Sequence, residues 1–177
     1  QLGYTTKKIS KKKIPNSILI SMGGSDKRNL TYKIVKSFKK SSAKFHLGIV
    51  IGDFFTDQNK ILQIIKNDNR FSVIKNQRGV LSIMSEYKIG IFSFGITVCE
   101  AFYSGLPSIV LSHSYENDSY AKKIAVYDCM RYLGYFRRIN FNNLPEETFS
   151  LMKNRKLYNK YSDNGQKLID GKGSLRI

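Results

Sequence analysis

From residue 16 onward the sequence alternates between short apolar runs that stop at glycine or a polar turn and longer stretches with helical spacing. "NSILISMGG" ends in two glycines, as a buried strand meeting a tight turn would. In "NLTYKIVKSFKK", Leu30, Ile34, Val35 and Phe38 fall on one helical face. "AKFHLGIVIG" and "TDQNKILQIIKND" repeat the pair, with Thr56 or Asp57 expected as N-cap. "RFSVIKN" with the short helix "GVLSIMSEYK", then "IGIFSFG" with "ITVCEAFYSG", continue it. Gly105 ends that last helix and Pro107 opens the strand "PSIVLS". "ENDSYAKKIAVYDCMRYLG" reads as one long helix ending at Gly134, with "YFRRI" as a further short strand. "LPEETFSLMKN" and "KLYNKYSDNGQKLID" close with two helices. Strands that are apolar throughout require cover on both faces, and the amphipathic helices between them supply it. The pattern predicts an α/β fold built on a doubly wound parallel sheet.

Such sheets bind ligands beyond the carboxyl ends of their strands, where the strand order reverses. The loops to inspect are therefore "GGSD", Gly52–Asp53, "KNQRG", "SFGIT" and "SHSYEND". The formal net charge is +17, from 30 Lys and Arg against 13 Asp and Glu. Lysines are scattered along the chain, and their one dense cluster is "KKISKKK", Lys7 to Lys13. Residues 1–15 thus read as a basic linker or arm, and 16–177 as the domain. The charge is not confined to one helix face and no aromatic stacking motif accompanies it, which argues against a nucleic-acid partner. A polyanionic small ligand such as a nucleoside diphosphate suits the field better. No apolar run approaches the ~20 residues that span a bilayer. The two cysteines, Cys99 and Cys129, lie outside any CxxC or Cys/His cluster. They are expected to be buried free thiols in a reducing, cytoplasmic compartment. No metal-ligand spacing is present, and no cofactor is called for.

Three loops carry chemistry. In "SMGGSDKRN", Gly23 and Gly24 let backbone N–H groups approach an anion and Ser25 adds a hydroxyl, while a plain turn capped by Ser25 or Asp26 needs the same residues. In "SFGITVCE", a helix beginning at Gly95, Ile96 and Thr97 presents unpaired N–H groups to whatever lies above the strand. Glu100 would then accept bonds from ribose hydroxyls, or else complete a capping box with Thr97. In "SHSYENDSY", His113 and Asn117 follow a strand end and can face a sugar. His46, inside a strand pattern, reads as structural, and Asp53 as a wall of the crevice. None of these residues forms a catalytic set that sequence alone can assemble.

In this order and at these intervals the segments resemble the C-terminal, Rossmann-like domain of GT-B nucleotide-sugar enzymes. "ILISMGGSDKRNLTYKIVKSF" is similar to the "VSxGGSDPxNLT" opening of the UDP-sugar hydrolases of pseudaminic acid synthesis and of related spore-coat polysaccharide proteins. "ITVCEAFYSGLPSIVL" resembles their "STLxELxALGxPxIV", "SYEND" stands at their "ENQ"-like triplet, and "LIDGKGSLRI" resembles their "DGKGAxRI". The first two motifs are shared with the peptidoglycan N-acetylglucosaminyl transferase. The resemblance implies that UDP or a UDP-sugar binds through Gly23, Gly24, Ser25, Gly95, Ile96 and Thr97, with Glu100 on the ribose and Asn117 near the pyrophosphate or sugar. It implies a uracil pocket near Asn76 to Val80. It also implies that the catalytic base sits on an N-terminal domain outside this chain, so that this half binds the leaving group. The alternatives are the donor-binding domain of a GT-B glycosyltransferase and, from another class, a basic nucleic-acid-binding module. Two departures stand out: Phe94 is expected to crowd the phosphate site, and Asp118, in place of a Gln, to set a negative charge beside an anionic ligand.

Overall fold

A computed structural model describes residues 13–52, 54–55, 57–75 and 79–173. Among them lie six strands: β1 Ser17–Ser21, β2 His46–Ile51, β3 Phe71–Lys75, β4 Ile89–Ser93, β5 Ser108–Ser112 and β6 Arg131–Tyr135. The helices are α1 Leu30–Lys39, α2 Gln58–Ile65, α3 Leu81–Met84, α4 Ile96–Ser104, α5 Tyr115–Ala125, α6 Leu144–Lys153 and α7 Arg155–Leu168. The strands form one sheet in the order β3-β2-β1-β4-β5-β6, every neighbour parallel. The chain winds outward from β1 to β3, then restarts at β4 on the other side of β1. The order therefore reverses between β1 and β4, where Ile18 to Ser21 stand opposite Ile89 to Phe92.

Burial explains the unbroken apolar strands. Ile18 and Ile20 join one core layer with Leu30, Ile34, Val35 and Phe38 of α1, while Leu19 between them joins the opposite layer with Phe92, Val98 and Phe102. Each of these side chains gains ~1.5–3 kcal/mol by leaving water, so α1 alone binds the sheet firmly. The last helix, α7, crosses the amino-terminal edge of the sheet. Its Tyr158 hydroxyl donates to the Lys88 carbonyl at 2.7 Å and its Ser162 hydroxyl to the Gly105 carbonyl at 2.8 Å.

Three expectations fail locally. The long helix predicted to end at Gly134 stops at Ala125, and Arg131–Tyr135 is the edge strand β6. Asp128, at φ 51°, turns the chain instead. Gly134, at φ 99°, sits where the β5–β6 register slips between Val110 and Leu111, a bulge that admits a left-handed residue. "FRR" is then a short 3₁₀ turn rather than strand. Cys129 is buried, but Cys99 is exposed on α4; both are free thiols. Asp57 is the N-cap residue of α2, as expected, but its carboxylate pairs with Lys60 at 2.7 Å and makes no cap bond to the helix amides. Thr56, Asp53, the arm through residue 12, Asn76 to Arg78 and the tail 174–177 lie outside the described residues. No described helix is long and apolar enough to cross a membrane.

Candidate functional site

The loops that follow β1 and β4 leave adjacent strands at the same height, so they face one another across the reversal point. The β1 loop is shaped by glycine. Gly23 holds φ 91°, and a Cβ built on Gly23 or Gly24 would meet nothing within 4 Å, so the space above both is open. Beneath them it is full: a Cβ on Gly52, at the end of β2, would stand 2.6 Å from the Gly24 Cα and 2.7 Å from its carbonyl oxygen. Gly52 is thus needed for close approach of two backbones, a role that its position after an apolar strand hinted at but did not establish. Ser25 is half-buried beside the glycines.

Asp26 answers the question of what caps α1. Its carboxylate oxygens accept from the Leu30 N–H at 2.9 Å and the Thr31 N–H at 2.7 Å. Burial pushes its carboxyl above the ordinary range, against the opposing pull of those amides and of nearby His113. The start of α1 is therefore closed by the chain itself.

The start of α4 is not. Gly95 is its N-cap in extended backbone and no described side chain caps the helix. Thr97 is the second helical residue, so the Thr97–Glu100 capping box does not form. The first short intrahelical bond runs from the Val98 N–H to the Gly95 carbonyl at 3.0 Å, leaving the Ile96 and Thr97 amides ahead of it at the positive end of the helix dipole. Val98, Ala101 and Phe102 turn to the core. Ile96, Thr97 and Glu100, at i, i+1 and i+4, share the opposite side, with Ile96 78% exposed and Thr97 and Glu100 half-buried.

From the β5 side, His113 and Asn117 reach the same place. The His113 Nδ1 lies 2.7 Å from the buried Ser93 hydroxyl at the end of β4. The Asn117 amide donates to the Phe94 carbonyl at 3.1 Å, while its backbone N–H is taken by the Ser114 cap at 3.2 Å. Asn117 thereby ties α5 to the loop that opens α4. Ser93 was missed in the sequence because a serine closing a strand carries no signal of its partner. Phe94 is half-buried and packs on the core layer below α4, so its ring is drawn inward. Asp118 is likewise engaged by the protein. Its carboxylate is buried, pairs with Lys122 at 2.7 Å and accepts a short bond from the Tyr132 hydroxyl, which also reaches the Ser112 hydroxyl at 2.8 Å. The Lys122 ammonium first, and the Tyr132 hydroxyl next, hold Asp118 below the usual carboxylate range. That charge is spent inside the protein. Tyr132 was hidden by the misread helix.

His46 is structural: its ring stacks on Tyr87 at 6.2 Å and its Nε2 lies 3.2 Å from the Ser72 hydroxyl. Of the segment near the implied uracil pocket only Gly79 and Val80 are described, and Val80 is buried in the core. Among the described residues, no three His, Cys, Asp or Glu side chains stand close enough to hold a metal ion.

No protein-family model matches the chain. Two curated proteins do: an uncharacterized protein of Methanocaldococcus jannaschii, 31% identical over 126 residues, and the spore coat polysaccharide biosynthesis protein SpsG of Bacillus subtilis, 26% identical over 172 residues. They match 66% and 94% of this chain, which spans only 25% and 50% of their lengths. Among solved structures, Acinetobacter baumannii MurG superposes with TM-score 0.76 at 15% identity, over 96% of this chain and 50% of MurG. The C-terminal domain of a glycosyl transferase group 1 family protein from Francisella tularensis gives 0.64 at 15%, over 86% of this chain and 83% of that domain. S. aureus MnaA, solved with UDP, gives 0.68 at 16%, over 91% of this chain and 44% of MnaA. At such identities the likeness speaks for the fold alone, a Rossmann-like sheet of the GT-B C-terminal kind.

Proposed function

We propose that this chain is the donor-binding half of a GT-B-type nucleotide-sugar enzyme and that its crevice holds the diphosphate of UDP or a UDP-sugar. The observation that carries the reading is the uncapped amino end of α4, set across the strand-order reversal from an open glycine loop. In this reading the amides of Ile96 and Thr97 and the loop of Gly23, Gly24 and Ser25 receive the phosphates, with Gly95 giving them room. Glu100, one turn along the same face, takes the ribose hydroxyls, and Asn117 orients the loop and meets the pyrophosphate or sugar. As the bond to the sugar breaks, charge grows on the leaving diphosphate, and fixed N–H donors aimed there stabilise the transition state more than the ground state.

Sugar transfer is the better supported chemistry, since the matched solved structures include a named glycosyl transferase domain. Hydrolysis of a UDP-sugar in pseudaminic-type synthesis rests on the closing "DGKG" motif, and surface-polysaccharide synthesis on the likeness to SpsG. Either chemistry draws its base or acceptor from a partner half. Three exposed apolar residues support such a partner: Phe54 after β2, Ile96 after β4 and Tyr115 after β5, all at the carboxyl edge of the sheet and 67–79% exposed. On this reading the arm ahead of residue 16 links the two halves, 16–177 is the UDP-binding unit, and the free thiols suit a cytoplasmic setting.

Calorimetry with UDP tests the proposal. The chain binds UDP, turns over no UDP-sugar alone, and loses roughly 1.5–3 kcal/mol of UDP affinity in Glu100→Ala, the worth of a charge-assisted hydrogen bond. Unchanged affinity in that variant removes Glu100 from the site; no UDP binding by the parent chain removes the function.

A further inference from the structure

We propose that the basin beneath β1 and β4, at the end of the sheet opposite the crevice, is a second anion site that takes a phosphate-type oxyanion. It has a volume of about 470 Å³ and is lined by Lys13, Lys88 and Arg155 together with Asn16, Tyr158 and Asn159. Asn16 and Lys88 immediately precede β1 and β4, which fixes the basin at the amino-terminal edge. The inference does not rest on the nucleotide reading.

Three observations point to an anion. First, three cations converge and no acid lines the basin. Lys39, Lys60, Arg70, Lys122, Arg131 and Lys160 each pair with a carboxylate, but Lys13, Lys88 and Arg155 pair with no described acid. Second, Lys13 is not a solvated surface lysine. Its ammonium donates to the Tyr158 hydroxyl at 3.1 Å, and that hydroxyl is itself committed to the Lys88 carbonyl at 2.7 Å. Burial, and then the charge of Lys88, push the Lys13 pKa down, so an unneutralised ammonium is held there at a cost. Third, Arg155, Tyr158 and Asn159 lie at i, i+3 and i+4 on the 14-residue helix α7, so one rigid element carries the guanidinium and two polar side chains to the basin.

A carboxylate would leave part of this unmet. A tetrahedral dianion carries enough oxygens to meet two lysines, a guanidinium and the side-chain amides of Asn16 and Asn159 together. The same chemistry is offered by a free phosphate ester and by a phospholipid headgroup.

The test is a titration of the ¹⁵N-labelled chain with inorganic phosphate, matched in ionic strength by sodium chloride. The expected result is saturable movement of the amide signals of Asn16, Lys88 and Arg155 to Asn159, with none from uridine. Lys88→Gln/Arg155→Gln weakens phosphate about tenfold, as loss of charge-assisted bonds should. Lys36→Gln/Lys75→Gln, which removes as much charge from exposed positions elsewhere, changes it less than twofold. The spectra report folding in the same tube, and Arg155→Gln alone serves if the double variant unfolds. Co-sedimentation with phosphatidylcholine vesicles, with and without phosphatidic acid, assigns the source: loss of vesicle binding in the double variant marks a headgroup, and absence of vesicle binding by the parent marks a soluble phosphate. Non-saturating shifts spread over the surface, or an equal loss in the control variant, overturn the site.

Discussion

The two helices that leave the central strands begin in opposite states. α1, after β1, is sealed by the buried carboxylate of Asp26, which takes the Leu30 and Thr31 amides. α4, after β4, begins at a glycine and is left without a side-chain cap. Both sit at the strand-order reversal, both could present positive dipole ends, and only one is available to a ligand. In the proposed site the glycine loop after β1 would therefore give open space and backbone amides, and α4 the helix charge. A glycine-rich turn before a helix does not by itself mark a phosphate site; what occupies the helix end decides.

The largest effect should follow from making α4 resemble α1. Gly95 is in extended backbone that any residue adopts, and a Cβ there meets nothing within 4 Å. Gly95→Asp is sterically free and supplies a good N-cap, so the melting temperature should hold or rise slightly. UDP affinity should nevertheless fall by about 2–3 kcal/mol or more, because a carboxylate replaces the phosphate on its donors and repels it. Calorimetry beside a thermal melt separates the two outcomes. Intact UDP binding in a stable Gly95→Asp protein would place the diphosphate somewhere other than α4.

The converse change opens α1. Asp26→Ala leaves two amides without their acceptor and should cost about 1–2 kcal/mol in denaturant unfolding. The pH dependence has a definite sign. Burial raises the Asp26 pKa in the folded chain, so the folded state holds that proton more tightly than the unfolded one. The stabilisation this gives is complete below the unfolded value of about 3.9 and is lost as pH rises through the raised folded value. Between about pH 4 and pH 7 the parent chain should lose stability relative to Asp26→Asn, which has no proton to release. Parallel melting curves for the two across that range would show that Asp26 does not titrate as its burial demands.

Much of this site was legible in the sequence because strand-terminal loops announce themselves. The apolar runs locate the carboxyl edge, and the glycines and Thr97 mark where the chain turns there. What the sequence hid are relations between loops. Asp26 and a possible Ser25 cap look alike until the left-handed residues Asp26 and Asn29 bend the loop so that only Asp26 reaches the amides. Thr97 and Glu100 have capping-box spacing, yet the helix begins two residues too early for it. Asp118 reads as a charge facing the ligand because its second partner, Tyr132, lies on a strand, β6, that reads in sequence as the end of the long helix "ENDSYAKKIAVYDCMRYLG", and because Lys122, the cation that neutralises it, does not show from sequence where the pair points. The edge position of β6 explains that error: its outer residue Arg131 is exposed and its run too short to read as buried strand.

The smallest effects separate the two glycines of the β1 loop. Gly23 carries φ 91° and open space, so Gly23→Ala meets backbone strain and no steric clash. It should lose about 1 kcal/mol of stability, the order of the left-handed penalty for a residue with a Cβ. Gly24 has no such φ, and its Cβ would point into the same open space, so Gly24→Ala should leave the melting temperature nearly unchanged. Its cost should appear in UDP affinity, because the new methyl group occupies room that a phosphate would use. The neighbour beneath sharpens the contrast: a Cβ on Gly52 would press on the Gly24 backbone, which cannot yield as a flexible side chain would. Gly52→Ala should therefore move the loop and lower both stability and binding, whereas Gly24→Ala lowers binding alone. If Gly24→Ala leaves UDP affinity intact, the diphosphate leans on α4 without the loop, and the β1 glycines serve only to turn the chain toward α1.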